Sequence, residues 1–461
     1  METLKIAFIG AASPQWGHTI SRDLIVMLSE PRVCDAFRPI LMLEDVDGVN
    51  LELQRQLAAK VAGMTGNRVE VAATTDQARA VEGARFVVNS IAQGTLEAML
   101  IDLEIAQEYG VYMPVGDTIS IGGAIRAARN IPALLSIARD LERLGHAEAW
   151  LLNLSNPMSI LCRAVTRETR VRTIGCCHEM YGGVGSLLAT LGHDRKLWRD
   201  RQRCQIEVLG VNHCAWLTRL TVDGEDQLAR FRAYLDERGI TLASRRLYDS
   251  PHPELRKRNV KIHLFLRHGV LPYSGDRHNV EFFQEFCNRE TNKGADWGVL
   301  LTTGQERLVE WRGGARESFS RKLNGREDIS LERSQEASSR IIPALLFGDE
   351  LYDVGNLPYQ GRSLPGVPQG AVIERMTIYD RQGAHPLKVS PLPAPLQEYM
   401  NLHLRNIEDI VQACVDGDRK RFIRALRRDP LMQNAPSRKI PEMVDRLLEA
   451  HRPMVHPGFF S

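Results

Sequence analysis

The stretch Leu4–Ile9 is short and mostly apolar, and it closes on the small-residue turn Gly10-Ala11-Ala12-Ser13. This junction constrains the fold more than any other part of the chain. A run of that kind suits a parallel strand buried on both faces. Apolar residues at helical spacing follow it, at Ile20, Leu24, Ile25 and Leu28. A second apolar run, Pro39–Leu43, ends in Glu44-Asp45. The alternation continues with a helix over Leu51–Val61, a strand near Val69–Ala72, a helix over Gln77–Val81 and a strand over Phe86–Val88 that ends in Asn89. Strands alternating with helices demand a parallel sheet with right-handed crossovers. The expected fold class is α/β, a Rossmann-like doubly wound parallel sheet.

The chemistry of the first turn narrows this further. Small residues after the first strand let the backbone approach a pyrophosphate at a helix N-terminus. An acid at the end of the second strand can bond ribose hydroxyls, and its charge favours NAD over NADP. Gly10, Ala12 and Ser13 supply the first feature and Asp45 the second. Ala12 stands where the G-x-G-x-x-G fingerprint has its second Gly, so the motif is degenerate and its weight comes from the order strand, turn, helix, strand, acid. Asn89, at a strand's carboxyl end, is expected beside the nicotinamide. The fold therefore groups with the malate/lactate dehydrogenase-like superfamily, and a plain dehydrogenase of that type is one reading of the sequence.

With 461 residues, the chain is long enough for this sheet and a second unit. The expected division is 1–200 for the NAD-binding unit and 201–461 for a mixed α+β, helix-rich unit that binds substrate and metal and assembles copies. Lys plus Arg number 59 against 57 Asp plus Glu, so net charge calls for neither nucleic acid nor an anionic membrane. The run Arg419-Lys420-Arg421 is interleaved with Phe422, Ile423, Ala425 and Leu426, the spacing of a helix with one solvated face. A long helical stretch is expected over Leu396–Leu426, another over Ser334–Leu346, and a strand near Ala371–Ile378. No apolar run approaches the ~18 residues of a membrane span. The start reads as a strand and not as an export signal, and the eight cysteines are scattered, so a cytoplasmic, reduced protein is expected.

Several segments of the middle carry unusual residues. Val115-Gly116-Asp117-Thr118 precedes Gly122-Gly123, and Arg126 follows at the start of a helix expected over Ala124–Leu144. Trp150–Leu154 reads as a strand ending in Ser155-Asn156-Pro157, which places Asn156 at the ligand-binding edge of a doubly wound sheet. Cys176-Cys177-His178-Glu179 and Gly210-Val211-Asn212-His213 each follow a β-like run. A thiolate and an imidazole could form an open site for a borderline divalent ion; by spacing alone, a buried Cys and a satisfied His are the favoured reading. Tyr273-Ser274-Gly275-Asp276-Arg277-His278 is dense in polar and titratable groups and reads as a site loop or a surface turn.

Taken together, KIAFIGAAS, GDT with GG and Arg126, NLSNPMS, GCCHE, LGVNH, SGDRH and GDRKRFIRALRRDPLM resemble glycoside hydrolase family 4 nearly end to end. Members of that family cleave glycosides with NAD and usually a divalent metal, and the handed-down two-carboxylate scheme of other glycosidases does not apply to them. The tetrapeptide Cys177-His178-Glu179-Met180 is similar to that of the branch acting on α-linked uronic acids, above all the α-galacturonidases, in which Val usually takes the fourth place. The resemblance implies Cys177 and His213 as metal ligands, for manganese, and Asn156 with Asn212 as substrate contacts. It implies Gly10, Ser13 and Asp45 for NAD, with Ala12 in place of a common Gly and Asn89 expected from its place at a strand end.

The chemistry so implied is transient oxidation at sugar C3, proton removal at C2, elimination of the glycosidic oxygen and return of water and hydride. Asp276 is the expected base, with Tyr273 behind it; Asp117, His178 and Glu179 are candidates for the leaving-group acid. An anionic C6 group calls for forked cationic donors, and Arg126 and Arg277 are the first choices, ahead of Lys261 and His278. The expected substrate is an α-galacturonide or α-glucuronide; a glycoside of sulfoquinovose, with a C6 sulfonate, is the alternative. A homodimer or homotetramer is expected by resemblance alone.

Overall fold

A computed structural model describes residues 1–244, 246–256 and 258–461. Thirteen strands form one sheet: β1 (Glu2–Ile9), β2 (Phe37–Glu44), β3 (Glu70–Thr74), β4 (Phe86–Asn89), β5 (Trp150–Asn153), β6 (Arg172–Gly175), β7 (Cys204–Val211), β8 (Cys214–Val222), β9 (Glu225–Asp226), β10 (Leu271–Pro272), β11 (Leu351–Pro358), β12 (Val372–Asp380) and β13 (Gly383–Pro386). The first six are parallel and lie in the order β3-β2-β1-β4-β5-β6, the arrangement of a dinucleotide-binding sheet. Beyond β6 the sheet continues antiparallel through β11, β12, β7, β8 and β10.

The joins on either side of the β11–β12 pair are narrow. A single pairing, Asn356 with Gly175, links β11 to β6, and another, Glu374 with Gly210, links β12 to β7. Packing makes the connection firm. One face of the parallel strands buries Leu4, Ile6 and Phe8 against Leu24 and Leu28 and also against Ile341 and Ile342, from the helix Ser338–Phe347. The opposite face packs on the long helix Ser120–Leu144 and on the carboxy-terminal helices through residues such as Leu404, Phe422 and Leu447.

One expectation needs correction. The helical stretch expected over Leu396–Leu426 is two helices, Ala394–Asp416 and Arg419–Arg428. Gly417 takes the left-handed conformation with φ +68, and the Asp418 side chain accepts from the Arg421 amide. A left-handed glycine ends one helix and an N-cap starts the next. Strand β11 matches no expectation stated above; it falls partly in the stretch 355–368, which is rich in Gly and Pro. Among the described residues, no helix is long and apolar enough to cross a membrane.

Candidate active site

The parallel strands bring the carboxyl ends of β1, β4, β5 and β6 to one edge, so the turns after them converge. At the first turn Gly10 has φ +86, and a Cβ there would stand 3.0 Å from the Ile91 amide nitrogen. Only glycine fits this left-handed, crowded position. The Ala12 amide donates to Asp45 Oδ2 at 2.9 Å and the Asp47 amide to Asp45 Oδ1 at 3.0 Å, so Asp45 ties the turn to the end of β2. The Ser13 hydroxyl accepts from the Trp16 amide at 3.2 Å, at the start of the first helix. Gly17 is a contributor that sequence reading missed. A Cβ there would overlap the Ala11 carbonyl, so Gly17 lets the helix approach the turn closely. Asn89 is fully buried; its amide donates to Asn153 Oδ1 at 2.8 Å and to Ser155 Oγ at 3.2 Å, and its Oδ1 has no partner. These residues offer a narrow, small-residue approach with an acid at its rim, which fits a dinucleotide.

The second focus lies beside this edge. Ligand atoms of Asp117, His213 and His278 all lie within 4.8 Å of one another. His213 sits in the tight β7–β8 turn with φ +64, a conformation costly for a residue with a side chain and typical of functional positions. Its ring lies 3.9 Å, centroid to centroid, from that of His278. Thr118 Oγ1 lies 2.8 Å from Asp117 Oδ1 and 2.7 Å from His213 Nδ1. Burial alone would push the Asp117 carboxyl up, but His278, His213 and Arg126 hold it below the usual carboxylate range. The ionised carboxylate can only accept, and a threonine hydroxyl has one proton to give. That proton goes to Asp117, which leaves the hydroxyl oxygen to accept from His213 Nδ1–H. The bare nitrogen of His213 is then Nε2. Burial, reinforced by His278, lowers the His213 pKa to about 3, so the ring is neutral. His278 Nδ1 is buried without a hydrogen-bond partner.

A carboxylate and two imidazoles are a donor set suited to a borderline or hard divalent ion such as manganese. Cys177 falls outside these three. Its thiol is packed with Met158, Cys162 and Val372, and burial pushes it well above the ordinary thiol range, with Glu374 and Glu179 adding to the effect.

Other expected residues find varied surroundings. Asn156 Nδ2 donates to Asp117 Oδ2 at 3.1 Å, while its carbonyl accepts from Arg126 Nε at 3.0 Å. Asn212 Nδ2 donates to Glu374 Oε2 at 2.8 Å, which leaves Asn212 Oδ1 buried without a partner. Glu179 accepts from the Gly275 amide at 3.1 Å; burial opposes its ionisation, but His278 and His213 hold its pKa down. His178 is half-exposed, 3.0 Å from Glu336, a bond that raises its pKa, and its ring is 6.4 Å from that of Trp16 beside the first turn. Asp276 accepts from the Val260 and Lys261 amides, each at 2.9 Å, and burial raises its pKa to about 6. Tyr273 is buried, and its hydroxyl has no partner. Lys261 donates to the Tyr273 carbonyl at 2.6 Å, and burial lowers its pKa to about 8.

The two expected arginines differ. Arg277 is engaged through both terminal nitrogens, with Glu306 Oε1 at 2.7 Å, the Pro114 carbonyl at 2.8 Å and Thr302 Oγ1 at 2.5 Å, while its Nε is buried without a partner. Arg126 spends only Nε. Sequence reading also missed two buried acids. Glu281 accepts from the Val115 and Gly116 amides at 2.6 and 2.7 Å and so holds the loop that presents Asp117; burial, with Asp117 nearby, pushes its pKa to about 8. Glu374 joins Asn212 to Asn356 across three strands. Single Glu residues in apolar stretches give no sequence signal of such roles.

Residues 5–193 match the family model "Family 4 glycosyl hydrolase", and residues 208–432 match "Family 4 glycosyl hydrolase C-terminal domain". An α-galacturonidase of Lachnoclostridium phytofermentans is 29% identical over 97% of this chain and 96% of its own. One from Bacillus subtilis is 29% identical, with 94% of each chain covered. In three dimensions, the 6-phospho-β-glucosidase of Thermotoga maritima, solved with manganese, NAD+ and glucose-6-phosphate, shares the fold at TM-score 0.77 and 15% identity, covering 98% of this chain and 99% of that one. With both parts of the family pattern matched in order along one continuous sheet, the chain belongs to the family 4 glycosyl hydrolases.

Proposed function

We propose that this protein is an NAD- and manganese-dependent glycosidase for glycosides with an anionic C6 group, foremost α-galacturonides. The observation that carries the reading is the Asp117–His213–His278 set beside the cofactor edge, in a chain whose relatives over nearly its full length include α-galacturonidases. When bound, NAD supplies transient oxidation at C3, and a divalent ion supplies Lewis-acid polarisation that makes the C2 proton acidic.

The chain's own residues do the rest. His213, with Asp117 and His278, would hold the ion; Cys177, whose thiol is hydrogen-bonded to the Asn212 side chain, is a further candidate. Asn156 offers its amide to the sugar hydroxyls, and Asn212 presents a free carbonyl oxygen. Asp276 takes the C2 proton. Its pKa of about 6 leaves it ionised at neutral pH yet basic enough to accept a proton, and each oxygen keeps a lone pair beyond the amide it already binds. His178, at the half-exposed mouth beside Trp16, gives the leaving oxygen its proton.

The decisive assay is hydrolysis of 4-nitrophenyl α-galacturonide, α-glucuronide and sulfoquinovoside with and without NAD and Mn2+. Turnover of a uronide only when NAD is present, with no net NADH, is the expected result. Net NADH from a hydroxy acid would identify a dehydrogenase instead, and turnover of the sulfonate alone would move the substrate class. Asp276→Asn should lower kcat by roughly 100-fold or more. If Tyr273→Phe does so and Asp276→Asn only lowers Tm, the base is Tyr273.

A further inference from the structure

Three arginines stand around the loop that carries Asp117, and their charges are balanced unequally. Arg277 forms its ion pair with Glu306 and is hydrogen-bonded besides. Arg126 is hydrogen-bonded through Nε to the Asn156 carbonyl. Arg307, from the π-helical segment Gln305–Gly313, is only 6% exposed. Its Nε, like that of Arg277, is buried without a partner, and among the described residues its one hydrogen bond, to Thr302 Oγ1, is long at 3.5 Å. Thr302 bonds the Pro114 carbonyl at 2.5 Å, which places Arg307 against the 114–117 loop. The guanidinium lies over the Trp311 ring, 3.9 Å from its centroid, so its plane is fixed. Among the described residues no carboxylate is ion-paired with Arg307 or with Arg126. Both lie within electrostatic reach of Asp117, the acid already committed to His213 and His278. Glu306, the acid adjacent to Arg307 in sequence, is bonded to Arg277, although it also lies within electrostatic reach of Arg307.

A buried cation without an ion pair of its own is costly, and two close together repel each other. An anion between them removes both costs, and forked guanidinium donors match a carboxylate. We propose that Arg307, together with Arg126, receives the C6 carboxylate of the substrate, and that Arg277 instead holds the loop. The inference rests on the uronide reading above and adds to it the residue that selects the charge.

The test compares two ligands on each protein, so that a general loss of fold cancels. D-galacturonate and D-galactose are titrated by calorimetry into the NAD- and Mn2+-loaded wild type and into Arg307→Met, Arg307→Lys and the surface control Arg312→Gln, with 4-nitrophenyl α-galacturonide hydrolysis measured in parallel. Arg312 pairs with exposed Glu97. Loss of one charge-assisted bond predicts about 10- to 100-fold weaker galacturonate binding in Arg307→Met, with galactose affected far less. Arg307→Lys should fall between, and Arg312→Gln should match wild type. Equal loss for both sugars would reduce Arg307 to packing, and no loss for either would remove it from the site; each overturns the proposal. If wild type hydrolyses no uronide while Arg307→Met still loses galacturonate selectively, the functional reading falls and the anion site stands. If wild type hydrolyses uronides and Arg307→Met binds galacturonate unchanged, the reverse holds.

Discussion

Thr118→Val is the most informative single perturbation of this site. Valine keeps the size and branching of threonine, so packing changes little, but the hydroxyl that links two of the three proposed metal-binding residues is lost. In the native site that oxygen is 2.8 Å from Asp117 and 2.7 Å from His213 Nδ1. Without it, the His213 N–H is buried with nothing to accept it, a cost of about 1–3 kcal/mol. The imidazole can escape by rotating or by moving its proton to Nε2, the nitrogen needed by a metal. Loss of an outer hydrogen bond to a ligating histidine typically weakens metal binding about 10- to 100-fold. Mn2+ titration followed by the decrease in free-ion EPR signal reads this directly, without any turnover. The expectation is a 10- to 100-fold rise in Kd for Thr118→Val and near-wild-type binding for Thr118→Ser, which keeps the hydroxyl. If Thr118→Val binds Mn2+ as wild type does, the tautomer argument fails and His213 is not held as described here. If Cys177→Ser abolishes binding while His278→Ala leaves it intact, the ion sits on Cys177 and His213 instead.

Three further outcomes follow from the same structure. Glu281 has a folded pKa of about 8 against an ordinary 4.5, so its ionisation opposes folding. That penalty is absent below about pH 4.5, grows as pH rises and saturates above about 8. Glu281→Gln can still accept both loop amides, and its Tm advantage over wild type should therefore widen between pH 5 and 8 and then level off; a constant offset would contradict the buried-carboxyl assignment. Gly17→Ala forces a methyl into the Ala11 carbonyl and should weaken NAD binding at least tenfold with a lowered Tm, measured by NAD titration and thermal melting; unchanged affinity would show that the turn does not depend on this close approach. Glu374→Ala leaves the Asn212 and Asn356 amides without their shared acceptor and should lower stability by about 1–3 kcal/mol in denaturant unfolding, a loss Glu374→Gln should partly restore.

What was legible in the sequence followed the strength of local pattern. The first five parallel strands were found within two residues at most of their ends because each is apolar and flanked by a small-residue turn or an acid. The long helix expected from Ala124 begins at Ser120. β11 was not legible. Its sequence, Leu-Tyr-Asp-Val-Gly-Asn-Leu-Pro, holds Asp353, Gly355 and Asn356 at buried positions. Such a strand is stable only because remote groups satisfy it: Tyr181 and Arg340 bond Asp353, and Asn356 bonds Glu374. Those partners lie 13 to 172 residues away along the chain, and no local rule reveals them.

The same contrast explains why residue type identified the site better than residue role. Asp117, Arg126, Asn156, His213 and Arg277 stand on or beside one loop-lined edge, so unusual polar density in short motifs did locate the chemistry. Density does not say which groups are already engaged. Arg277 and Arg307 are equally cationic in sequence, yet only one has an acid partner, Glu306, which lies 29 positions from Arg277 and beside Arg307. In sequence Glu306 stands beside Arg307, but in space its hydrogen bonds go to Arg277, and Arg307 feels only its field. A role assignment thus needs the full count of hydrogen bonds and charges around each group, and it is the unpaired member of such a set that is available to a ligand.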